Sequence, residues 1–250
     1  MRMEKRKNMH RFYVQAERIQ GETVWFDGTD AAHMHRVLRM KEGDDILVCD
    51  GQSHEYHAVI VSIDKRDVRA KLLSKEEMQS EPDAHITLFQ GYPKAGKLDM
   101  ILQKGTEIGV ARFVPFYSEY GDVKPQASEK KERWNRIVYE AAKQTGRGRI
   151  PEVSEAVAWK ALSILLAACD LVLVAYESEE ETGLRDIAAL QTAKHIGLVV
   201  GPEGGFSDAE IDEMKQLGAK IITLGPRILR TETAGMVFPA LVLYQRGEME

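Results

Sequence analysis

Two glycine-rich stretches hold the residues whose types and spacing are best suited to chemistry. GPEGGFSDAEI runs from Gly201 to Ile211, and LGPRILRTETA from Leu224 to Ala234. Without side chains at Gly201, Gly204, Gly205 and Gly225, a flat ligand can lie directly against backbone N–H and C=O groups. Neither stretch carries GxGxxG or GxxxxGK[ST], and no lysine follows the glycines to reach a phosphate. Glu203 would repel a triphosphate. What remains is a ligand recognised by edge hydrogen bonds, such as an adenine or an amino-acid moiety. The other reading of the same residues is a pair of ordinary tight turns.

The surrounding sequence supplies elements that can position such loops. HIGLVV (195–200) and AKIITLG (219–225) are near-continuous apolar strands, as is DLVLVAY (170–176), the pattern of a parallel sheet covered on both faces. SDAE (207–210) is a capping box, so a helix starts at Ser207 and stops at Gly218. HITLFQGY and RFVPFYS read as two more strands, with a helix between them that contains Asp99 near its start and ends at Gly109. Trp134, Ile137, Val138, Ala141 and Ala142 recur at helical spacing, and Gly146 closes that helix. A final helix covers roughly 231–246, with Pro239 inside it. Strands alternating with helices imply an α/β domain over 85–250, and ligands in such sheets bind beyond the carboxyl ends of the strands.

Residues 1–73 differ. RFYVQAERI, TVWFDG, DILVCDGQ, YHAVIVSI and VRAKLL are β-branched or aromatic runs separated by turn residues, which predicts a small, mostly β barrel. One helix interrupts them, with Asp30 as its expected N-cap and Gly43 beyond its end. The polar stretch 74–84 reads as a linker.

Composition bounds the function class. Of the 250 residues, 44% are hydrophobic, and no apolar run approaches the ~20 residues of a bilayer span. The basic N-terminus lacks an apolar signal core, and Cys49 and Cys169 are too far apart in sequence for a CxxC site. A cytoplasmic protein with neither a disulfide framework nor a metal is expected. His33 and His35, two apart on one helix, point to different faces and do not combine with His54 and His57 as a zinc site. Net charge is −5, but residues 1–73 carry 13 Lys and Arg against 12 Asp and Glu. Basic residues cluster at Arg2, Lys5, Arg6, Lys7 and Arg11, and at Arg36, Arg39 and Lys41. A phosphate footprint needs such a local patch rather than a basic total.

LVVGPEGGFSDAEI followed by LGPRILRTETA resembles the RsmE family of 16S ribosomal RNA uridine-N3 methyltransferases, of the SPOUT class. Further matches are RFYV, HMHRVLRMKEGD, QKGTEIGV, RW with EAAKQTGR, and VAYE, in order along nearly the whole chain. The resemblance implies a trefoil-knotted α/β domain preceded by a PUA-like RNA-binding barrel, and a homodimer acting on the small ribosomal subunit. S-adenosylmethionine would lie against Tyr176, Val200, Gly201, Pro202, Glu203, Gly204 and Gly205, and against Leu224, Gly225, Pro226, Ile228 and Leu229.

Methylating N3 of uridine requires an in-line transfer to a nitrogen that is protonated at neutral pH. Arg230 is the first catalytic candidate, placed to stabilise charge on uridine O2 or O4 or to hold the phosphate, or else to cap the loops. Glu232 is either a base or an orienting group, or a carboxylate favoured by its helix dipole. Thr231 and Thr233 are N-caps or substrate contacts. Arg11, Arg36, Arg39, Lys94, Lys104 and Arg147 fall in segments resembling the family's RNA-facing ones. Two departures stand out. Tyr120 replaces an arginine of the family pattern, and GMVFP (235–239) is an unusual continuation. They motivate a second hypothesis, a catalytically silent RNA-binding or assembly factor on the same fold. A third is a related methyltransferase acting on tRNA or another rRNA site.

Overall fold

The structure is a computed structural model that describes residues 9–78, 80–94, 96–121 and 131–249. The basic residues Arg2, Lys5, Arg6 and Lys7 lie outside the described residues. The chain divides into two compact units, residues 1–81 with 142–150, and residues 82–141 with 151–250.

The first unit is a curled, mostly antiparallel sheet of six strands among the described residues. They are β1 (Arg11–Tyr13), β2 (Ile19–Gln20), β3 (Thr23–Asp27), β4 (Asp45–Cys49), β5 (His54–Ile63) and β6 (Asp67–Glu77), in the order β1-β4-β5-β6-β3-β2. Alternation along β3 sends Val24 and Phe26 inward onto Phe12, Met34, Ile46, Ile60 and Val68. Phe12 and Phe26 meet edge to face at 5.6 Å. β6 extends to Glu77, into the stretch expected as linker, and residues 142–150 group with this unit although they lie far along the sequence. Helix α1 (Gly28–Ala32) starts earlier than expected. Its N-cap is Asp27, Asp30 sits within its first turn, and it continues as a π-helical turn through His33–Val37.

The second unit is an α/β layer structure. Its parallel sheet contains β7 (His85–Gly91), β8 (Arg112–Tyr117), β9 (Glu152–Val153), β10 (Val157–Ala158), β11 (Leu171–Ala175), β12 (His195–Val200) and β13 (Lys220–Ile222). The order is β10-β8-β7-β12-β11-β13, with β9 also paired to β8. Every ladder is parallel, and β7 and β12 are buried along almost their whole length, as their apolar sequences require. One face carries α4 (Trp159–Leu166) and α5 (Asp208–Gln216), whose Leu162, Leu166, Ile211 and Met214 pack on Phe89, Val114, Val174 and Val199. Helices α2 (Lys97–Ile108) and α6 (Thr231–Gln245) pack on each other, and α6 also lies on β7 and β12. Helix α3 (Lys131–Thr145) starts in this unit and ends in the first. Gly109 and Gly146 stop α2 and α3 with positive φ, and α6 is continuous through Pro239.

Candidate active site

Four adjacent strands, β7, β12, β11 and β13, release their chains at the same edge of the sheet. A cavity of about 930 Å³ opens there. Tyr176 follows β11. Val200, Gly201, Pro202, Glu203 and Gly205 come from the end of β12 and its loop. Leu224, Gly225, Pro226, Ile228, Leu229 and Arg230 form the loop between β13 and α6. Both loops expected to hold a ligand therefore wall one cavity. The size suits a small-molecule ligand, for which pockets of roughly 300–1,000 Å³ are typical. Gly204 does not line it. This glycine is required by a close approach instead, since a Cβ there would lie 2.6 Å from the carbonyl oxygen of Tyr120.

Gly225 has φ +109 and open space around its missing side chain, so the loop exposes bare backbone at that point. The N–H groups of Leu224, Ile228 and Leu229 make no hydrogen bond within the described residues, which leaves them as donors. The rim is acidic, with Glu177, Glu179 and Glu180 following β11. The Glu179 carboxylate is occupied locally, accepting the Thr182 and Glu181 N–H groups, which lower its pKa.

Three charged side chains cross the mouth of the glycine loop. Lys97 Nζ, from the first residue of α2, lies 3.0 Å from Glu203 Oε1 and 3.1 Å from Glu232 Oε2. Glu203 also accepts the Lys94 N–H at 3.1 Å, so its carboxylate acts as an internal strut for the loop. Burial pushes the Glu203 carboxyl upward, but Lys97 and backbone N–H donors outweigh it and hold its pKa below the ordinary value. The Glu232 carboxyl is also lowered, first by its own backbone N–H and then by Lys97. Lys97 itself is raised by the adjacent carboxylates of Glu203 and then Glu232. The Arg230 carbonyl accepts the Ala234 N–H at 2.8 Å, while its guanidinium has no hydrogen bond or ion pair to a described residue and is exposed at the cavity, so it does not cap the loops.

A buried relay fixes the start of α6. Gln90, at the end of β7, donates from Nε2 to Thr231 Oγ1 (2.8 Å), which donates to the Gly201 carbonyl (2.5 Å). Thr231 is therefore a strut and not an N-cap. The N-cap of α6 is Arg230, with no side-chain capping bond, and neither threonine fills that role. Gln90 Oε1 lies over Gly235, where a Cβ would sit 2.6 Å away, which accounts for glycine in the unusual GMVFP segment. Glu210 has a further task beyond the expected capping box. It accepts the Ser207 N–H at 3.0 Å and the Glu119 N–H at 2.8 Å, pinning the segment before Tyr120 to the glycine loop. Tyr120 packs its carbonyl and Cβ on Gly204, and the residue is 51% exposed. Neither departure from the family pattern obstructs the cavity.

The basic candidates separate into two groups. Arg36 and Arg39 are exposed, Arg39 with φ 52. Lys94 is exposed, and Lys104 pairs with Glu107 at 2.8 Å. Arg11 is committed within the first unit, with Nε and Nη2 both on Glu55 Oε2 at 2.9 and 2.6 Å. Arg147 corrects the expectation most clearly. It is 4% exposed, and its guanidinium grips both oxygens of Glu81 at 2.9 and 2.7 Å, so it is not placed to meet a phosphate. His54 and His57 bond Asp50 and Asp45 respectively.

Sequence reasoning missed Lys97 and Gln90, and for Glu210 it found the capping box but not the bond to the Glu119 N–H. Only Lys97 left a signal: a cation at the first position of a helix sits at the wrong end of the dipole and needs a local anion. Gln90 and Glu210 act through contacts between segments far apart in the chain, which spacing alone does not reveal.

Two family models match this chain. An RNA methyltransferase domain covers residues 79–243, and an RNA methyltransferase PUA domain covers 26–73. The chain is 32% identical over 248 residues to ribosomal RNA small subunit methyltransferase E of Bacillus subtilis, covering 95% of this chain and 97% of the relative. Its counterpart from Aquifex aeolicus is 34% identical, covering 90% and 95%. Among solved structures, ribosomal RNA small subunit methyltransferase E from Neisseria gonorrhoeae, bound to S-adenosyl methionine, superposes with a TM-score of 0.81 at 28% identity, over 95% of this chain and 98% of that one. A putative methyltransferase from Legionella pneumophila, in complex with the cofactor SAM, also gives 0.81, at 31% identity over 95% and 98%. The likeness runs almost end to end and includes both cavity loops, so this chain belongs to the ribosomal RNA small subunit methyltransferase E family.

Proposed function

We propose that this protein transfers the methyl group of S-adenosylmethionine to N3 of one uridine in 16S ribosomal RNA of the small subunit. The observation that carries this reading is the cavity at the strand ends, with an unpaired Arg230 at its edge, in a chain of this family. The residues present fit the cofactor. Free N–H donors of Leu224, Ile228 and Leu229 suit the edge of an adenine, and Gly225 leaves room against the backbone. The acidic rim at Glu177 and Glu180 suits a ligand carrying sulfonium and ammonium charge. When bound, the cofactor supplies an electrophilic methyl group.

The chain's own task is to orient the uridine and to favour loss of the N3 proton. Arg230 is placed to stabilise the negative charge that spreads onto O2 or O4 as that proton leaves. Glu232 is the weaker candidate for a base. Its carboxyl is held below the ordinary range and tied to Lys97, so it is poorly matched to a far less acidic imide. The reading includes the knot, a cytoplasmic site of action, a second copy in a homodimer, and RNA contact through Arg36 and Arg39 of the first unit. No helix among the described residues is long and apolar enough to cross a membrane.

The test is methyl transfer from labelled S-adenosylmethionine to small subunits lacking the modification, with the product nucleoside identified by mass spectrometry. N3-methyluridine at one site is expected, and Arg230→Ala should lower kcat by about 10²–10³, the scale for losing one charge-stabilising donor. Transfer to tRNA or to a different base would overturn the substrate, and binding without any transfer would overturn the reaction.

A further inference from the structure

We infer that Lys97 is a positioning residue of the methyl-transfer site, clamping Glu203 of the cofactor loop to Glu232 at the start of α6. The inference rests on the methyl-transfer reading above and assigns a role to a residue outside both glycine loops. Three observations carry it. Lys97 lines the cavity together with Glu203 and Arg230. Its ammonium lies 3.0 and 3.1 Å from carboxylates that belong to two different loops of the site. Its position at the first residue of α2 is electrostatically unfavourable for a cation, so the arrangement breaks a local rule where a site is found.

The geometry explains what the clamp controls. Glu203 sits between Pro202 and Gly204, so its carboxylate fixes the height of the loop against which the cofactor lies. Glu232 is two residues beyond Arg230, so its carboxylate fixes the direction from which the guanidinium enters the cavity. The Thr231 hydroxyl makes a second tie between the same two loops through the Gly201 carbonyl. Lys97 supplies the charged half of this double tie, and Gln90 with Thr231 the neutral half. Without the ammonium, two carboxylates face each other with no cation between them, and the loops separate.

The test compares Lys97→Met, which keeps the length of the stem, and Lys97→Arg, which keeps the charge. Wild-type enzyme is measured alongside both for S-adenosylmethionine affinity by calorimetry and for steady-state methyl transfer to small subunits. Lys97→Met is expected to weaken cofactor affinity about tenfold, within the range of coupling between close charges. It should also lower kcat while leaving KM for the ribosomal subunit unchanged. Lys97→Arg should recover most of the loss, and Glu203→Gln in the Lys97→Met background should recover part of it by relieving repulsion. A merely structural lysine would lower the melting temperature of the variant without moving cofactor affinity in the folded fraction, and that result overturns the inference. If wild type binds cofactor but transfers no methyl group, the function fails while the affinity comparison still decides the role of Lys97. If wild type does not bind the cofactor, both fall.

Discussion

Gly91 ends β7 where the chain passes closest to the cofactor loop, and a Cβ there would lie 2.4 Å from the Pro202 nitrogen and 2.7 Å from the Gly201 carbonyl carbon. Both are backbone atoms, so no side-chain rotation can relieve the overlap. Gly91→Ala gains roughly 0.4–1 kcal/mol from a less free unfolded chain. It loses about 1–3 kcal/mol to overpacking, so the balance is destabilising. The variant should melt several degrees below wild type by calorimetry and bind S-adenosylmethionine more weakly, because the displaced atoms belong to the loop proposed to hold it. Unchanged melting and affinity would mean that the loop shifts freely despite its ties to Thr231 and Lys97. At this scale the sequence was partly legible. Gly201, Gly205 and Gly225 announced exposed backbone, and Arg230 stood beside them. Gly204 was read with them, but a close approach of the Tyr120 backbone is what requires it, and Gly91 gave no sign at all, because what requires each is a neighbour distant in sequence.

The segment 142–150 shows how an element can be read correctly and its side chains misread. Helical spacing from Trp134 to Ala142 and the stop at Gly146 are visible in the sequence. Arg147, in a segment resembling an RNA-facing one of the family, is turned inward. Its partner Glu81 also accepts the N–H groups of Gly148 at 2.7 Å and Arg149 at 3.1 Å, so one carboxylate fastens the whole turn. The same glycine spacing serves an anion from the protein as well as one from RNA. Burial alone would raise the Glu81 carboxyl, but the guanidinium and the two backbone donors outweigh it, and its pKa lies below the ordinary 4.5. A depressed folded value means that the carboxylate stabilises the fold above pH 4.5, and that this contribution disappears as pH falls through the lower, folded value. Glu81→Gln strands a buried guanidinium and should cost about 3–5 kcal/mol at pH 7. The mutant should also lose less stability than wild type on acidification, since this titration is gone. Denaturant unfolding at pH 7 and below pH 4 measures both effects, and parallel pH curves for the two proteins would refute the linkage.

For the whole molecule, the alternation of strands and helices made the parallel sheet legible and placed the ligand beyond its carboxyl edge, but not the surface that a second copy would use. For the proposed dimer, the candidate surface is the outer face of α6. One side of the helix buries Ala234, Phe238, Val242 and Leu243, while Leu241 and Tyr244 on the other side are 38% and 64% exposed. A helix apolar all round is normally covered all round. Ile228, on the cavity loop that leads into α6, is also 86% exposed. If the proposed second copy seats on the outer face of α6, it covers Leu241 and Tyr244. Wild type should then sediment at twice the mass of one chain at micromolar concentration. Leu241→Glu should sediment as a monomer, because a dimer would bury two unpaired carboxylates at the centre of the interface. If the helix only mediates pairing, the monomeric variant keeps its fold by circular dichroism and loses methyl transfer. A monomeric wild type, or a Leu241→Glu variant that remains dimeric, would show that the outer face of α6 serves some other contact.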